Sequence, residues 1–422
     1  MKNGILVSSV DLRPSLMSIL KGLDEAGLLK QVVTTVAIDP DSIFGKCIRA
    51  ICGVLPSNYR RGIDERFLPD FLKGKTQTLY SRELIRLLLN RLEGGIFTHR
   101  VWLWAELGFD RKVASRYSGI FSCIYGMEHS SLETFTRQKK QGGLCILRQV
   151  TAHGRTIANV IRRETKRFPE YIGPYLRLFL EDMERSLARK EAEYRLADLI
   201  VGNSSFVKDT FVQAGVAHEK ILVIPTGCPP CSKVPGNAGR GNKPLIFLFV
   251  GRLLLRKGIS YLIKAWHLLR PGRSAELWLV GSNKEIYKVI FKKQEGGIRY
   301  FGVLSQSNLA RIYSQADVFV LPTLLEGLAY VVLEALSYGL PVITTPESGC
   351  GNFVQNGHNG FVIESANPES LCNAMVWCLE HRDQLQRMGR LSMEKATAWT
   401  VEDSNRAHLM EIQKFLENKG IK

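Results

Sequence analysis

The sequence of 422 residues has no run of 18 or more apolar residues, so it predicts no membrane-spanning helix. Its first apolar stretch is too short for a secretory signal and predicts a strand instead. No Gly-x-Gly-x-x-Gly motif follows a predicted strand, which argues against a dinucleotide oxidoreductase. There is no repeat at a fixed period. The composition, 45% hydrophobic and 23% charged, is that of a globular protein of two or three domains.

The nine cysteines lack the spacing of a disulfide framework or of a zinc site. An odd, scattered set favours reduced thiols in a cytoplasmic protein. The one close pair is Cys228-Pro-Pro-Cys231, which follows a predicted strand rather than opening a helix. A redox or metal role for a lone pair of this kind is the weaker interpretation. The sequence therefore predicts no metal site.

Basic residues outnumber acidic ones by 57 to 40, which gives a formal net charge of +17. A field of this sign favours anionic partners such as nucleotides, an anionic membrane surface or nucleic acid. No helix-turn-helix, zinc finger or aromatic RNA-binding signature accompanies the charge, so no nucleic-acid partner is expected. A basic nucleic-acid-binding protein stays as an alternative, and its affinity would fall steeply with salt.

Apolar runs of strand length alternate with helical periodicity along much of the chain. In the second half, strands are predicted at 244–250, 276–280, 298–302, 316–321 and 341–345. In the first half they are predicted at 5–10, 31–37, 119–125, 144–150, 199–203 and 220–225, with a long helical stretch at 162–195 that Pro169 and Pro174 interrupt. The alternation of strands and helices predicts an α/β fold with parallel, doubly wound sheets.

A segment rich in Pro, Gly and Asn divides the chain near its middle. We predict an N-terminal domain at 1–232, a linker at 233–243 and a second domain at 244–398. The remainder, 399–422, contains a predicted helix at 401–418.

Two glutamates stand out between residues 321 and 346. Glu334 lies in the apolar run 328–336, which predicts a buried helix, with Gly339 just past its end. A buried carboxylate needs a hydrogen-bonding partner or a proton. Glu326 lies in the loop before that helix, at the carboxyl end of a predicted parallel strand, where open α/β sheets bind ligands.

Two carboxylates placed in this way are predicted to accept hydrogen bonds from the hydroxyls of one ligand. The alternative is that Glu334 forms a buried ion pair with Arg or Lys, while Glu326 only favours a helix N-terminus.

Residues 199–418 resemble the retaining, nucleotide-sugar-dependent glycosyltransferases of family 4, which have the GT-B fold. Five blocks carry the resemblance in the right order: 200–208 with 224–227, 250–258, Gly302 with 313–318, 326–334, and 357–362. The resemblance implies two Rossmann-like domains that face each other across a cleft. It also implies a C-terminal helix that crosses back to the first domain.

In that family the second domain binds a nucleoside diphosphate sugar, without a further cofactor. Arg252 and Lys257 match the positions that neutralise the leaving diphosphate, and each follows a predicted strand, where it can reach phosphate oxygens. The alternative is that both are exposed surface cations. Glu334 matches the glutamate that binds the ribose hydroxyls, and Glu326 matches the one near the transferred sugar. The other positions implied to border the donor are Gly251, Gly281, Val303, Gly327, Leu328 and Ala329.

A histidine of the first domain faces the donor sugar in such enzymes. His153 follows the predicted strand 144–150 and is the preferred candidate. His129 follows the strand predicted at 119–125 and is the second candidate. The alternative for either residue is a surface-loop histidine.

The sequence departs from the family pattern in the first domain. A glycine-rich loop usually follows the first strand, but here the residues are Val10-Asp11-Leu12-Arg13-Pro14. The block around Asn352 lacks an acidic residue that many members have. Asp39-Pro-Asp41, the one Asp-x-Asp sequence, contains proline and predicts a turn.

The resemblance implies transfer of a sugar to an acceptor hydroxyl with retention at the anomeric carbon. The expected acceptor is a glycan or a lipid-linked glycan, in polysaccharide or lipopolysaccharide synthesis. The basic charge suits a cytoplasmic protein that works at the inner face of an anionic membrane. A catalytically degenerate relative that still binds nucleotide sugars is the alternative.

Overall fold

The computed structural model describes residues 2–12, 14–54, 63, 66–92, 96–231, 243–282 and 296–421. Its strands form two wholly parallel sheets, one of seven strands and one of six. Helices lie between most of the successive strands, which confirms the predicted α/β class with two Rossmann-like domains. Of the predicted linker 233–243, all but Lys243 falls outside the described residues.

The first sheet belongs to the N-terminal domain, and its strands stand in the order β3-β2-β1-β4-β5-β6-β7. They are β1 (Lys2–Ser8), β2 (Leu29–Thr34), β3 (Thr76–Thr78), β4 (Phe121–Met127), β5 (Leu144–Gln149), β6 (Leu199–Gly202) and β7 (Ile221–Val223). The sequence predicted six of them. It missed β3, because three polar residues carry no hydrophobic pattern.

The helices of this domain are α1 (Pro14–Glu25), α2 (Ile43–Val54), α3 (Ser81–Leu92), α4 (Ile96–Tyr117), α5 (Leu132–Lys140), α6 (Gly154–Arg167), α7 (Pro174–Leu196) and α8 (Ser205–Gln213). Pro169 and Pro174 separate α6 from α7, as predicted, because proline has no amide hydrogen for a helix interior. Ser204 caps α8 by accepting a hydrogen bond from the Val207 amide at 3.2 Å, because serine at this position satisfies a free amide of the first turn.

The second sheet has the order β10-β9-β8-β11-β12-β13. Its strands are β8 (Leu245–Val250), β9 (Ala275–Val280), β10 (Ile298–Gly302), β11 (Val318–Leu321), β12 (Val342–Thr344) and β13 (Gly360–Val362). Its helices are α9 (Ile259–Leu269), α10 (Gln306–Gln315), α11 (Tyr330–Ser337), α12 (Pro368–Glu380) and α13 (Arg382–Thr397). Gly339, just past α11, has φ of 69°, the left-handed conformation predicted for that position.

The strand order reverses once in each sheet, between β1 and β4 and between β8 and β11. At such a switch point the loops at the carboxyl ends of two neighbouring strands diverge and leave a crevice, where open α/β sheets bind ligands. The loops that follow β1 and β4 in the first domain, and those that follow β8 and β11 in the second, therefore border the candidate site.

The last helix, α14 (Val401–Asn418), returns to the first domain. Its buried Ile412 and Leu416 share a core cluster with Leu16 and Ile19 of α1. Thr400 and Asp403 form a capping box that sets where the helix begins. The predicted return of the chain end to the first domain is confirmed.

No helix in the described part of the chain is both long and apolar enough to cross a bilayer. The eight cysteines whose side chains are described are all free, and most of them are buried. Asp39 accepts a hydrogen bond from the Asp41 amide at 2.9 Å, which is the turn that the sequence predicted at these residues.

Candidate active site

The loop after β8 brings two predicted glycines together. Gly281, at the end of β9, has φ of 145°, and a Cβ atom there would lie 1.8 Å from the carbonyl oxygen of Gly251. A side chain at 281 would therefore push the two loops apart. Val303, predicted to lie near the base of the donor, is exposed just beyond β10.

Glu326 is held by two cations from the loop after β8. Lys257 Nζ lies 2.6 Å from Glu326 Oε1, and Arg256 Nη1 lies 2.7 Å from the same oxygen. The carbonyl of Arg256 accepts hydrogen bonds from the Leu324 amide and the Thr323 hydroxyl, which ties this loop to the one after β11. Sequence reasoning missed Arg256, and its position beside Lys257 was the available signal.

Arg252 is exposed and lines the cavity between the two domains. Arg256 lines the same cavity and shares Glu326 with Lys257, so the loop after β8 contributes three cations against that one carboxylate. That surplus of positive charge at the ends of parallel strands suits a diphosphate.

The amides before α11 are only partly available to a ligand. The Glu326 amide donates to the Glu347 carbonyl, and the Ala329 amide donates to the Ser348 carbonyl, each at 2.9 Å. A hydrogen bond from the Ala329 amide to a donor would therefore require this internal bond to be replaced. Leu328 is 9% exposed, and its side chain belongs to the core of the second domain.

Glu334 has a neutral partner rather than the Arg or Lys of the alternative hypothesis. Its Oε2 accepts a hydrogen bond from the Tyr313 hydroxyl at 3.0 Å. Burial raises the pKa of Glu334, and the bond from Tyr313 opposes that rise. A half-buried carboxylate with a single neutral donor retains acceptor capacity for the hydroxyls of a ligand.

Gly327 is the point where the second domain touches the first. Its carbonyl accepts a hydrogen bond from the Ser204 hydroxyl. A Cβ atom at 327 would lie 1.9 Å from the Val150 carbonyl oxygen, so a side chain there would separate the domains. Gly327 therefore serves the approach of the two domains in addition to any contact with a donor.

A second interdomain contact lies at α6. The Tyr261 hydroxyl of α9 donates to Glu164 Oε2 at 2.7 Å, and the rings of Tyr261 and Phe168 meet edge to face at 5.3 Å. Glu164 is 1% exposed, so this bond satisfies a carboxylate that is shielded from water.

Residues of both domains line a cavity of about 610 Å³, including Thr151 and Lys190 from the first and Arg252, Arg256 and Glu326 from the second. A neighbouring cavity of about 430 Å³ lies in the first domain. Glu128, Thr151, Phe179 and Lys190 line both, so the two spaces adjoin. A ligand in one can thus approach a ligand in the other.

His153, the preferred histidine, is enclosed in the first domain. It is 3% exposed, and its ring lies against Tyr194 and Phe211, with centroids 4.9 and 4.8 Å away. Its Nδ1 accepts a hydrogen bond from the Arg155 amide at 3.1 Å and so caps α6. Burial is the main cause that lowers the pKa of His153 to about 4.

His153 is not among the residues that line the two described cavities. In this conformation His153 borders neither of these cavities, and its burial does not fit the surface-loop alternative.

His129, the second candidate, lines the 430 Å³ cavity. It is 7% exposed, so it is not a surface-loop histidine either, and its Nδ1 lies 2.9 Å from Glu106 Oε2. Its ring stacks on Trp102 with a centroid separation of 5.9 Å. The cavity next to the donor-side residues is therefore bordered by the histidine that the sequence ranked second.

Within the described residues, no three His, Cys, Asp or Glu side chains are grouped as a metal site would require. Positive charge at this site comes instead from the side chains of Arg252, Arg256 and Lys257.

Comparisons with known proteins agree with this arrangement. Residues 234–394 match the family model described as glycosyl transferases group 1. An uncharacterized glycosyltransferase of Methanocaldococcus jannaschii is 32% identical over 130 residues, which is 30% of this chain and 33% of that protein. A D-inositol 3-phosphate glycosyltransferase of Paenarthrobacter aurescens is 28% identical over 244 residues, 53% of this chain and 60% of its own length. The matches thus span between a third and three fifths of these relatives.

The solved structure of Anabaena HepE in complex with UDP and glucose is similar over nearly the whole chain. It covers 99% of this chain and 100% of its own, with a TM-score of 0.59 and 15% sequence identity. At that identity the likeness establishes the fold. The chain therefore carries a group 1 glycosyl transferase domain, set in the two-domain GT-B fold of glycosyltransferases.

Proposed function

We propose that this chain is a retaining glycosyltransferase of family 4. It transfers a sugar from a nucleoside diphosphate sugar to an acceptor hydroxyl, in the synthesis of a surface polysaccharide or lipopolysaccharide. The observation that carries the proposal is the pairing of Arg256 and Lys257 with Glu326 at the edge of an interdomain cavity that Arg252 also lines.

The donor binds mainly to the second domain. Glu334 accepts hydrogen bonds from the ribose hydroxyls while it keeps its bond from Tyr313. Gly251 and Gly281 let the loops after β8 and β9 approach each other where the nucleotide passes over the sheet. A uridine nucleotide is the first candidate, because the HepE structure of the same fold holds UDP and glucose.

Charge stabilisation drives the chemical step. As the bond from the anomeric carbon to the diphosphate oxygen breaks, negative charge grows on the leaving group. Arg252 and Lys257 stabilise that charge, and Arg256 keeps Glu326 in place next to the transferred sugar. The acceptor oxygen forms its bond on the same face, and its proton passes to the departing diphosphate. This front-face displacement gives retention without a protein nucleophile.

The acceptor is a glycan or a lipid-linked glycan that enters from the first domain. The net charge of +17 suits work at an anionic membrane surface on its cytoplasmic side. Binding to vesicles with and without anionic lipid, at low and high salt, measures that association directly.

Thermal-shift binding tests the donor site with UDP, GDP, ADP and CMP and their sugars, without metal and then with magnesium. We expect one diphosphate to raise the melting temperature by a few degrees, and Glu334→Ala to abolish the shift. Lys257→Ala and Arg252→Ala are then assayed for sugar transfer, and each lowers turnover about 10²-fold, the usual loss for one preorganised electrostatic group. NMR of the product shows whether the anomeric configuration is retained.

The matched control is Arg299→Ala. It also breaks an Arg–Glu ion pair of the second domain, to Glu276 at 2.7 Å, but on the edge strand β10. Full activity in all the site variants contradicts the site assignment. A well-folded protein that binds no nucleotide contradicts the donor proposal, and a protein that binds a donor without turnover supports the degenerate relative.

A further inference from the structure

The 430 Å³ cavity of the first domain is built like a ligand site of its own. Its lining comes from the loops after β1, β4 and β5 and from α4 and α7, and includes Asp11, Trp102, Glu106, His129 and Asp182. Apolar surface predominates, with a small number of polar side chains among it. Sites for small organic ligands have this composition, because apolar contact supplies affinity and a few polar groups set orientation.

His129 is held in this cavity by an unusual set of bonds. Its backbone has φ of 73°, a left-handed conformation that costs a non-glycine residue free energy. The Glu193 carboxylate accepts its amide hydrogen at 2.6 Å, and Arg189 Nε donates to its carbonyl at 2.8 Å. Two buried or half-buried charged groups therefore keep the histidine in a conformation that it would not adopt freely.

The imidazole is oriented by a carboxylate. Glu106, itself 6% exposed, lies 2.9 Å from Nδ1 and accepts its hydrogen. In the neutral ring this leaves Nε2 unprotonated, so that it can accept a hydrogen bond from a hydroxyl group. Among the hydrogen bonds of the described residues, those of this ring use Nδ1, and His129 borders the cavity.

Trp102 adds an aromatic wall. It lies one turn before Glu106 on α4, and its indole is 38% exposed although it lines the cavity. Trp104, on the same helix, is 41% exposed, but it packs beneath Arg82 and does not line the cavity. The exposed part of the indole, beside the stacked ring of His129, offers apolar contact to the C–H face of a sugar ring, whose hydroxyls remain free for polar partners.

The charges of the cavity disfavour an anionic ligand. Asp11, Glu106, Glu128 and Asp182 supply four carboxylates to its lining, against the two cations Arg148 and Lys190. Lys190 is already paired with Glu128 at 2.9 Å. A phosphate or carboxylate group would thus meet more negative than positive charge, whereas neutral hydroxyls can donate to the carboxylates.

We infer that this cavity is the subsite for a neutral hexopyranose of the acceptor, whose ring lies on Trp102 and whose hydroxyl binds Nε2 of His129. This inference rests on the proposed function, and it narrows the acceptor to one whose receiving sugar carries no phosphate or carboxylate. The shared lining at Glu128, Thr151 and Lys190 leads from this subsite to the cations and Glu326 of the donor cavity.

Saturation-transfer NMR on the full chain tests the inference. The probes are the methyl glycosides of glucose, galactose, mannose and N-acetylglucosamine, and the 6-phosphates of the three hexoses. We expect transfer to at least one neutral glycoside in the wild type and in Trp104→Ala, and a fall to about a tenth or less in Trp102→Ala, because the aromatic contact is lost. Trp104→Ala is the matched control because it removes an equally exposed indole outside the cavity.

Three results would overturn the inference. They are no transfer to any neutral glycoside, equal transfer in the wild type and Trp102→Ala, or stronger transfer to the hexose 6-phosphates. His129→Asn supplies a second variant, since asparagine tolerates the left-handed backbone at 129 but lacks the imidazole. It is expected to weaken binding of the same glycoside, while the melting temperature stays close to that of the wild type.

Measurements of donor binding and donor hydrolysis separate this inference from the proposed function. Each variant is also tested for the UDP thermal shift and for hydrolysis of UDP-glucose in the absence of acceptor. If Trp102→Ala loses glycoside binding but keeps the UDP thermal shift and the hydrolysis rate of the wild type, the result supports the subsite. Absence of both donor binding and hydrolysis in the wild type counts against the proposed function instead. Once a soluble or lipid-linked acceptor is found, Trp102→Ala is expected to raise its KM about tenfold, with donor KM unchanged.

Discussion

The loops that follow β4 and β5 each contribute one buried histidine to the first domain, and the two differ in what surrounds the ring. His129 is 7% exposed and His153 is 3% exposed, so burial does not separate them. The imidazole of His129 meets the Glu106 carboxylate and borders a cavity. That of His153 meets a backbone amide and two aromatic rings. A histidine with a polar partner at the edge of a cavity is placed to bind a ligand. A histidine that caps a helix inside an aromatic cluster instead stabilises the fold.

The largest expected effect is a loss of folding stability at low pH that depends on His153. The unfolded chain protonates this imidazole near pH 6.5 and the folded chain only near pH 4, because burial disfavours the charge. The unfolded state thus binds more protons between these values, and stability falls as the pH is lowered from 6.5 to 4. We expect the wild type to lose about 3 kcal/mol relative to His153→Asn over this range.

Urea denaturation of both proteins at several pH values measures that difference. Asparagine keeps an acceptor for the cap of α6, so the comparison isolates the proton. Parallel curves for the two proteins would mean that His153 is protonated in the folded state and has access to solvent or to a charged partner.

The next effect concerns turnover. His129→Asn is expected to lower kcat/KM for sugar transfer about 10²-fold, because the acceptor hydroxyl loses its oriented hydrogen-bond partner. His153→Asn is expected to stay within about threefold of the wild type, since its ring borders neither described cavity. Both are measured with saturating donor and varied acceptor. The reverse order would show that the loop after β5 moves to expose His153 when substrates bind.

A smaller effect is expected from Glu106→Gln. The amide oxygen still accepts from Nδ1 of His129 and keeps the tautomer, but the negative charge behind the ring is removed. We expect kcat to fall about tenfold while donor KM is unchanged. The matched substitution Glu191→Gln removes the carboxylate that pairs with Arg155 near His153 and is expected to leave kcat unchanged. Equal losses in the two variants would indicate a general charge effect rather than a specific partner.

The smallest effect is expected in the aromatic cluster of His153. Phe211→Leu removes part of a fully buried ring that contacts both His153 and Tyr194. We expect it to cost about 1 kcal/mol of stability and to leave donor and acceptor KM unchanged. Thermal denaturation and steady-state kinetics on one sample check both parts. A change in acceptor KM would place this cluster within the site.

The second domain was largely predictable from the sequence. Its strands are nearly continuous apolar runs, because both faces of a parallel sheet are covered by helices, and such runs are visible without knowledge of the fold. The glycines at 251 and 281 and the cations after β8 lie within a few residues of a strand end, so local spacing places them correctly. The ion pair between Lys257 and Glu326 joins the loops that follow two such strands.

The first domain was less predictable. The helices α2, α3 and α4 were not predicted, and α4 carries Trp102 and Glu106, which stand far from His129 in the sequence. Their contact depends on how α4 packs beside the loop after β4. Likewise, the partner of Glu334 is a tyrosine 21 residues earlier, on α10, and no local pattern predicts that pairing.

By itself, the sequence determined the α/β class, most strands of the two sheets and the residue types that follow β8 and β11. Each of these depends on periodicity or on residues near one strand end, whereas the return of the last helix was implied by the family resemblance. Tertiary structure alone decided which histidine borders a cavity, that Arg256 shares Glu326 with Lys257, and that Gly327 touches Val150 across the domains. The physical reason is that side-chain contacts and cavities form between elements that are distant in the chain. The number of residues between two such elements does not give their separation in space.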